Sequence, residues 1–271
     1  MSQTAGRLSI AAATTAFALL LAASRAAAAS PAPSLVISAR YEGSLLIKLL
    51  DLQLRDRVAD QRFSTDVHVE SSGAVSFIRR FDINAASVGA IDHGRPVPTA
   101  YVQHSLEGAK RSSRTLVWRT PSPVADPLTQ ILRLTAAPLT SAPCPGVMPT
   151  SDGKQRYDLI LTYAGRGALA PGQQGFGLTQ PVQCRLHFRP VSGFKVNNPQ
   201  GLRRFVHGDI RATFAKTPGG VWVASDVSAD TLVGGLHLRL TSLSVQGGRA
   251  ALETPAAAHP TAPPPRKPRR R

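Results

Sequence analysis

The chain has 271 residues, with 32 Lys+Arg against 16 Asp+Glu and a formal net charge of +16. At 42% hydrophobic residues it can bury a core, which excludes a globally disordered chain. Two cysteines exclude a disulfide-dense scaffold or a zinc-ribbon array, and a single amino-terminal apolar run excludes a polytopic membrane protein.

Residues 1–29 read as a secretory signal peptide. Arg7 supplies the positive start, and Leu8 to Ala23 is apolar and small. Ala27-Ala28-Ala29 gives the small-residue cleavage pattern, placing the cut between Ala29 and Ser30. The competing reading is an uncleaved anchor, but the run is short and alanine-diluted for a span of about 20 apolar residues. No cysteine follows it, so a lipid anchor is not expected. No twin arginine precedes it, which favours the general secretion route.

Residues 30–254 read as a single β-rich exported domain. Period-two alternation runs through it. Val182, Cys184, Leu186 and Phe188 share one face, and Gln183, Arg185, His187 and Arg189 the other. Tyr157, Leu159, Leu161 and Tyr163 repeat the pattern, as do Leu236, Leu238 and Leu240. One wet face and one dry face mark an antiparallel sheet covered on a single side. Turn signals punctuate the runs at Ser72-Gly73, His93-Gly94, Asp152-Gly153, Pro218-Gly219-Gly220 and Gly247-Gly248.

One segment breaks the alternation. Leu128, Ile131 and Leu132 stand at i, i+3, i+4, behind an Asp126-Pro127 pair suited to a helix start. This predicts a short helix from Pro127 to about Ala136, its apolar stripe packing on the sheet or plugging one end of it. Pro138 to Gly153 reads as the longest irregular loop. The expected fold is mainly β: one strongly curved antiparallel sheet or open barrel with a short helix packed on it.

Cys144 and Cys184 are 40 positions apart, too far for a C-x-x-C pair. In an exported chain such a pair closes a structural disulfide. It would tie the long loop to the strand around Cys184 and stabilise by roughly 4 kcal/mol in the loop-entropy model.

Residues 255–271 form a Pro/Ala-rich basic tail ending in Arg266, Lys267, Arg269, Arg270 and Arg271. It has too few large apolar residues to pack and is expected to be disordered. A sharper reading is an electrostatic tether to an anionic membrane surface. With +2 on the leader and +5 on the tail, residues 30–254 carry +9. That balance no longer argues for nucleic acid, which is not expected as a partner.

The order of several motifs carries a family resemblance. Ala125-Asp126-Pro127-Leu128-Thr129 comes first, then Cys144, then Ser151-Asp152-Gly153-Lys154-Gln155-Arg156-Tyr157-Asp158. Cys184 follows, with Phe188-Arg189-Pro190 and Gly193-Phe194-Lys195 after it, and Tyr41-Glu42-Gly43 opens the body. The sequence resembles the bacterial exported family catalogued as domain of unknown function 3108, over roughly Leu35 to Leu243. Lys154-Gln155 departs from the arginines common there. The resemblance implies an envelope location and a mostly β fold, and it carries no catalytic residue.

Chemistry is sparse. His68, His187 and His237 fall on polar strand faces, where solvated positions are expected. A cross-strand site of His68 and His187 is the metal alternative. Asp152-Gly153 reads as turn chemistry, and Arg156 and Asp158 as pairing with neighbours. Doublets Arg79-Arg80, Lys110-Arg111 and Arg203-Arg204 read as solvated surface over an anion site. No catalytic, cofactor-binding or metal-ligating set stands out. The expected function is a non-catalytic binding or scaffold module of the periplasm or envelope. It would hold a lipid-like apolar ligand, or an envelope protein's strand at an open edge. The alternative is a hydrolase acting on envelope polysaccharide or peptidoglycan.

Mass spectrometry of the non-reduced mature protein should show one crosslink, Cys144–Cys184. Two free thiols in freshly exported protein would defeat it.

Overall fold

The computed structural model describes residues 34–45, 47–73, 76, 80–194, 210–231 and 234–253. The expected leader and its expected cut between Ala29 and Ser30, the tail residues Arg266 to Arg271, Arg79 and the doublet Arg203-Arg204 lie outside these residues.

Twelve strands form one antiparallel sheet that does not close. They are β1 (Leu35–Ser44), β2 (Lys48–Ala59), β3 (Arg62–Ser71), β4 (Phe81–Asp92), β5 (Arg95–Glu107) and β6 (Lys110–Val117), then β7 (Gly146–Ser151), β8 (Arg156–Arg166), β9 (Thr179–Ser192), β10 (Ile210–Lys216), β11 (Trp222–Thr231) and β12 (Gly234–Gly247). The order is β6-β5-β4-β3-β2-β1-β12-β11-β10-β9-β8-β7. The chain enters at mid-sheet and meanders to one edge. It then crosses through helix α1 (Pro127–Thr135) to the other edge and meanders back.

Alternation decides which face is inside. Leu35, Ile37, Ala39 and Tyr41 of β1 are buried, with more exposed residues between them. Hairpins set the register. His93 and Gly94 both take positive φ, 48° and 73°, in the tight turn between β4 and β5. Asp60 and Gln61 do the same between β2 and β3 without a glycine. The β4 ladder shifts between Val88 and Gly89. A Cβ on Gly89 would lie 2.1 Å from the Val97 carbonyl oxygen, so only glycine fits this bulge.

The helix lies in the concavity rather than flat on one face. Leu128 packs with Ala85 and Tyr101, Leu132 with the Leu35–Ile37 cluster, and Leu134 with Met148, Leu161 and Trp222. Thr129, Gln130 and Thr135 are buried as well. The expected short helix is present, and it sits as a plug against the sheet. The sheet surrounds the helix, so burial goes nearly all round. Ile131, expected in the stripe, is instead 37% exposed.

Asp126 sets the helix start. It is fully buried; its Oδ1 accepts from the backbone N–H of Leu128 and Thr129, each at 2.9 Å. Its Oδ2 accepts from the hydroxyls of Thr129, at 2.6 Å, and Ser87, at 2.9 Å. This N-cap ties the helix to β4. At the other end, the Arg249 guanidinium donates to the Ala137 and Ala136 carbonyls, at 2.9 and 3.4 Å.

The expected long loop from Pro138 to Gly153 contains the edge strand β7. Pro149 within it has no N–H to give, which suits an edge. Its carbonyl accepts from the Ala125 N–H and the Gln130 amide. The Cys144–Cys184 disulfide, with Cα atoms 5.8 Å apart, ties the start of this region to β9. Cys184 is fully buried beside Leu161, Phe214 and Trp222.

Asp126→Ala should cost about 1–3 kcal/mol, combining a lost N-cap with two interior hydroxyls, Ser87 and Thr129, that keep only their 3.0 Å hydrogen bond to each other in place of the carboxylate. Urea unfolding measures it, and a loss below about 1 kcal/mol would contradict the role given to Asp126.

Candidate functional site

The interior holds two large packed regions, a small cluster of Ala85, Tyr101 and Leu128, and a hollow. Around Leu35, Val58, Phe63, Ile91, Val221 and Leu252 the sheet's concavity is filled. Gln173 helps seal it. Its buried amide donates to the Ser225 and Leu240 carbonyls, at 2.7 and 3.1 Å, and its oxygen accepts from the Ala170 N–H. The second region surrounds the disulfide. A cavity of about 220 Å³ lies under the helix. Leu52, Leu54, Leu161, Phe214 and Leu238 line it from the strands, and Ile131 from α1.

One carboxyl lines this apolar wall. Asp56 sits in the inward phase of β2 and is 1% exposed. Its Oδ1 accepts from the Thr65 hydroxyl at 2.7 Å, directly across the β2–β3 ladder. Its Oδ2 has no hydrogen-bond partner. Burial pushes the Asp56 carboxyl up to about 6; the Thr65 hydrogen bond opposes this and the Asp66 charge adds to it. Burial, then the Asp56 charge, holds the phenol of Tyr41, another lining residue, above its ordinary range. Among the described residues, the cavity lining includes no second carboxyl and no histidine.

The motif residues singled out from the sequence hold the fold. Asp152 Oδ1 accepts from the N–H groups of Lys154 and Gln155, at 2.9 and 2.7 Å, which makes the turn. Its Oδ2 pairs with Arg114 of β6. This ion pair joins the two sheet edges, which do not hydrogen-bond as strands. Burial first, then Asp152, raises the Tyr157 phenol above its usual range. Asp158 accepts from Arg189 across the β8–β9 ladder, at 2.9 and 2.5 Å. Tyr157 and Phe188 stack with centroids 4.8 Å apart, and Phe194 meets Phe188 at 5.8 Å.

The histidines do not converge. His68 on β3 and His187 on β9 are six strands apart in the sheet. His68 is 3.6 Å from Asp82, and His237 is 3.8 Å from Asp226. No group of three His, Cys, Asp or Glu side chains suited to a metal occurs among the described residues. A larger groove of about 800 Å³ crosses β12 and the strands β1 to β5. Arg40, Arg55, Asp66, His68 and His104 mix both signs along it, so no single charge gathers there.

No family model matches this sequence, and no curated protein matches it. Among solved structures it is similar to a β-barrel-like protein of the domain of unknown function DUF1849 from Brucella abortus. The identity is 8% and the TM-score 0.45, over 79% of this chain and 98% of that one. The disulfide fits an oxidising, extracytoplasmic setting. Among the described residues no helix is long and apolar enough to cross a membrane.

An unfolded aspartate titrates near 4. Between about pH 4 and 6 the folded chain therefore holds a proton that the unfolded chain has lost. Stability from Asp56 is full below that window and declines as pH rises through it, by on the order of 3 kcal/mol. Chemical denaturation of the wild type and Asp56→Asn across the window should show this decline in the wild type alone. Parallel curves would remove the assignment.

Proposed function

We propose that this chain is a non-catalytic binding module of the bacterial envelope, holding a small apolar ligand inside its curved sheet. One observation carries the reading: an apolar cavity persists between two packed regions, under a helix that leaves Ile131 37% exposed. A sheet built only as scaffold would be expected to fill this space, because a void forfeits dispersion contacts. The volume is below the roughly 300–1,000 Å³ of drug-sized sites, so the ligand is a small body or the end of a chain.

The periplasm is the compartment that best joins the leader, the disulfide and the basic balance. Membership of the domain of unknown function 3108 family belongs to the same proposal. The basic tail would add attraction to anionic lipid, at about 1 kcal/mol per residue near the surface.

Solvent extraction and mass spectrometry of protein purified from its native host tests the reading. A recurrent apolar compound, approaching one per chain, is expected. Ala212→Phe, which projects a ring into the cavity wall, should lower its recovery by about tenfold; a full cavity excludes the guest. Nothing recovered above controls from either protein would overturn the ligand reading.

A further inference from the structure

The cavity is not uniformly apolar, and its one carboxyl stands in an unusual state. Asp56 lies on β2, between β1 and β3, opposite Ile37 on one side and Thr65 on the other. It is as buried as the leucines around it. Thr65 satisfies one oxygen; the other accepts from nothing. A buried acceptor left unpaired is costly, and a buried carboxylate more so. Natural interiors remove such costs by pairing the group, or by replacing it with an apolar residue. Here the carboxyl is kept and only one of its two oxygens is paired.

The strands that surround Asp56 bring no cation to the cavity. Among the described residues, the lining includes no lysine, arginine or histidine. The basic side chains near it in sequence, Arg55 and Arg57, alternate onto the opposite face of β2 and are exposed. The remaining polar lining residues are Tyr41, Gln130 and Thr135. Gln130 already donates to the Pro149 carbonyl and accepts from Arg133. The wall thus offers a fixed negative end and an apolar body.

We infer that the ligand is an apolar amine, its ammonium donating to Asp56 and its hydrocarbon part occupying the cavity under α1. This rests on the apolar-ligand reading and narrows it to one chemical class. An ammonium supplies the missing donor and neutralises the buried charge together. In a low-dielectric wall that pairing is stronger than in water. The same carboxylate repels a fatty acid or any other carboxylate-ended chain, so the site selects by repulsion as well as attraction. An alcohol supplies a donor without charge and gains only part of the effect.

The disulfide-bonded chain is titrated with hexylamine, 1-hexanol and hexanoate at neutral pH, followed by NMR of the leucine and isoleucine methyls that line the cavity. Hexylamine is expected to bind at least about tenfold more tightly than hexanol, and hexanoate more weakly than both; tenfold is the size of one modest buried charge-assisted hydrogen bond. Asp56→Asn keeps the shape and should bring hexylamine down to the hexanol value. Asp56→Ser serves the same purpose if the first variant does not fold. Equal binding of hexylamine and hexanol by the wild type, or a preference that survives both substitutions, would overturn the amine and leave the apolar-ligand reading intact. Failure of both hexylamine and hexanol to shift the lining methyls would overturn the two together.

Discussion

Asp126 is the constraint on which the interior depends. A twelve-stranded sheet that does not close leaves two unpaired edges, β6 and β7, and an exposed edge invites pairing with another chain. Here the segment between the two edges turns inward as a helix. Four hydrogen bonds to one buried carboxylate fix where that helix begins. Ser87 belongs to β4 and Thr129 to the helix, so the same carboxylate cross-links wall and plug. Arg114 and Asp152 then draw the two edges towards each other. The cavity exists because the helix is held at that height, with Leu128 and Leu132 seated and Ile131 left facing the hollow.

Much of this was legible in the sequence. Period-two runs gave the strands, since one dry face is enough to specify register. Asp126-Pro127 announced the helix start within a residue, because the capping chemistry is local. Two features were less legible. β7 hid in a loop-like composition because Pro149 and Gly146 are tolerated on an edge strand. The β2–β3 hairpin turns on Asp60 and Gln61, which lack the usual glycine.

Asp56 is the least legible of the residues that matter. A signal for it was present: Leu50, Leu52, Leu54, Asp56 and Val58 share one strand phase, and only one of the five is charged. His68 and His187 are of a residue type with metal chemistry, but both stand where the alternation puts polar side chains. The departure from pattern lay elsewhere. A charge at an inward position is costly to stability, so such a position points to function more strongly than a histidine on a wet face.

The sheet order has a consequence for how the chain reaches its native state. Both six-strand meanders are made of neighbours in sequence, so each can form from local pairings. The junction between them is different: Leu35 pairs with Gly247 and Ser44 with His237. That seam joins the first strand to the last, and its closure entropy must be met before any contact across it is rewarded. Until β12 arrives, β1 presents an open edge at the centre of the future sheet. The chain therefore gains its final shape only after β12 is free to pair, and until then its vulnerable surface is the middle of the sheet rather than its rims.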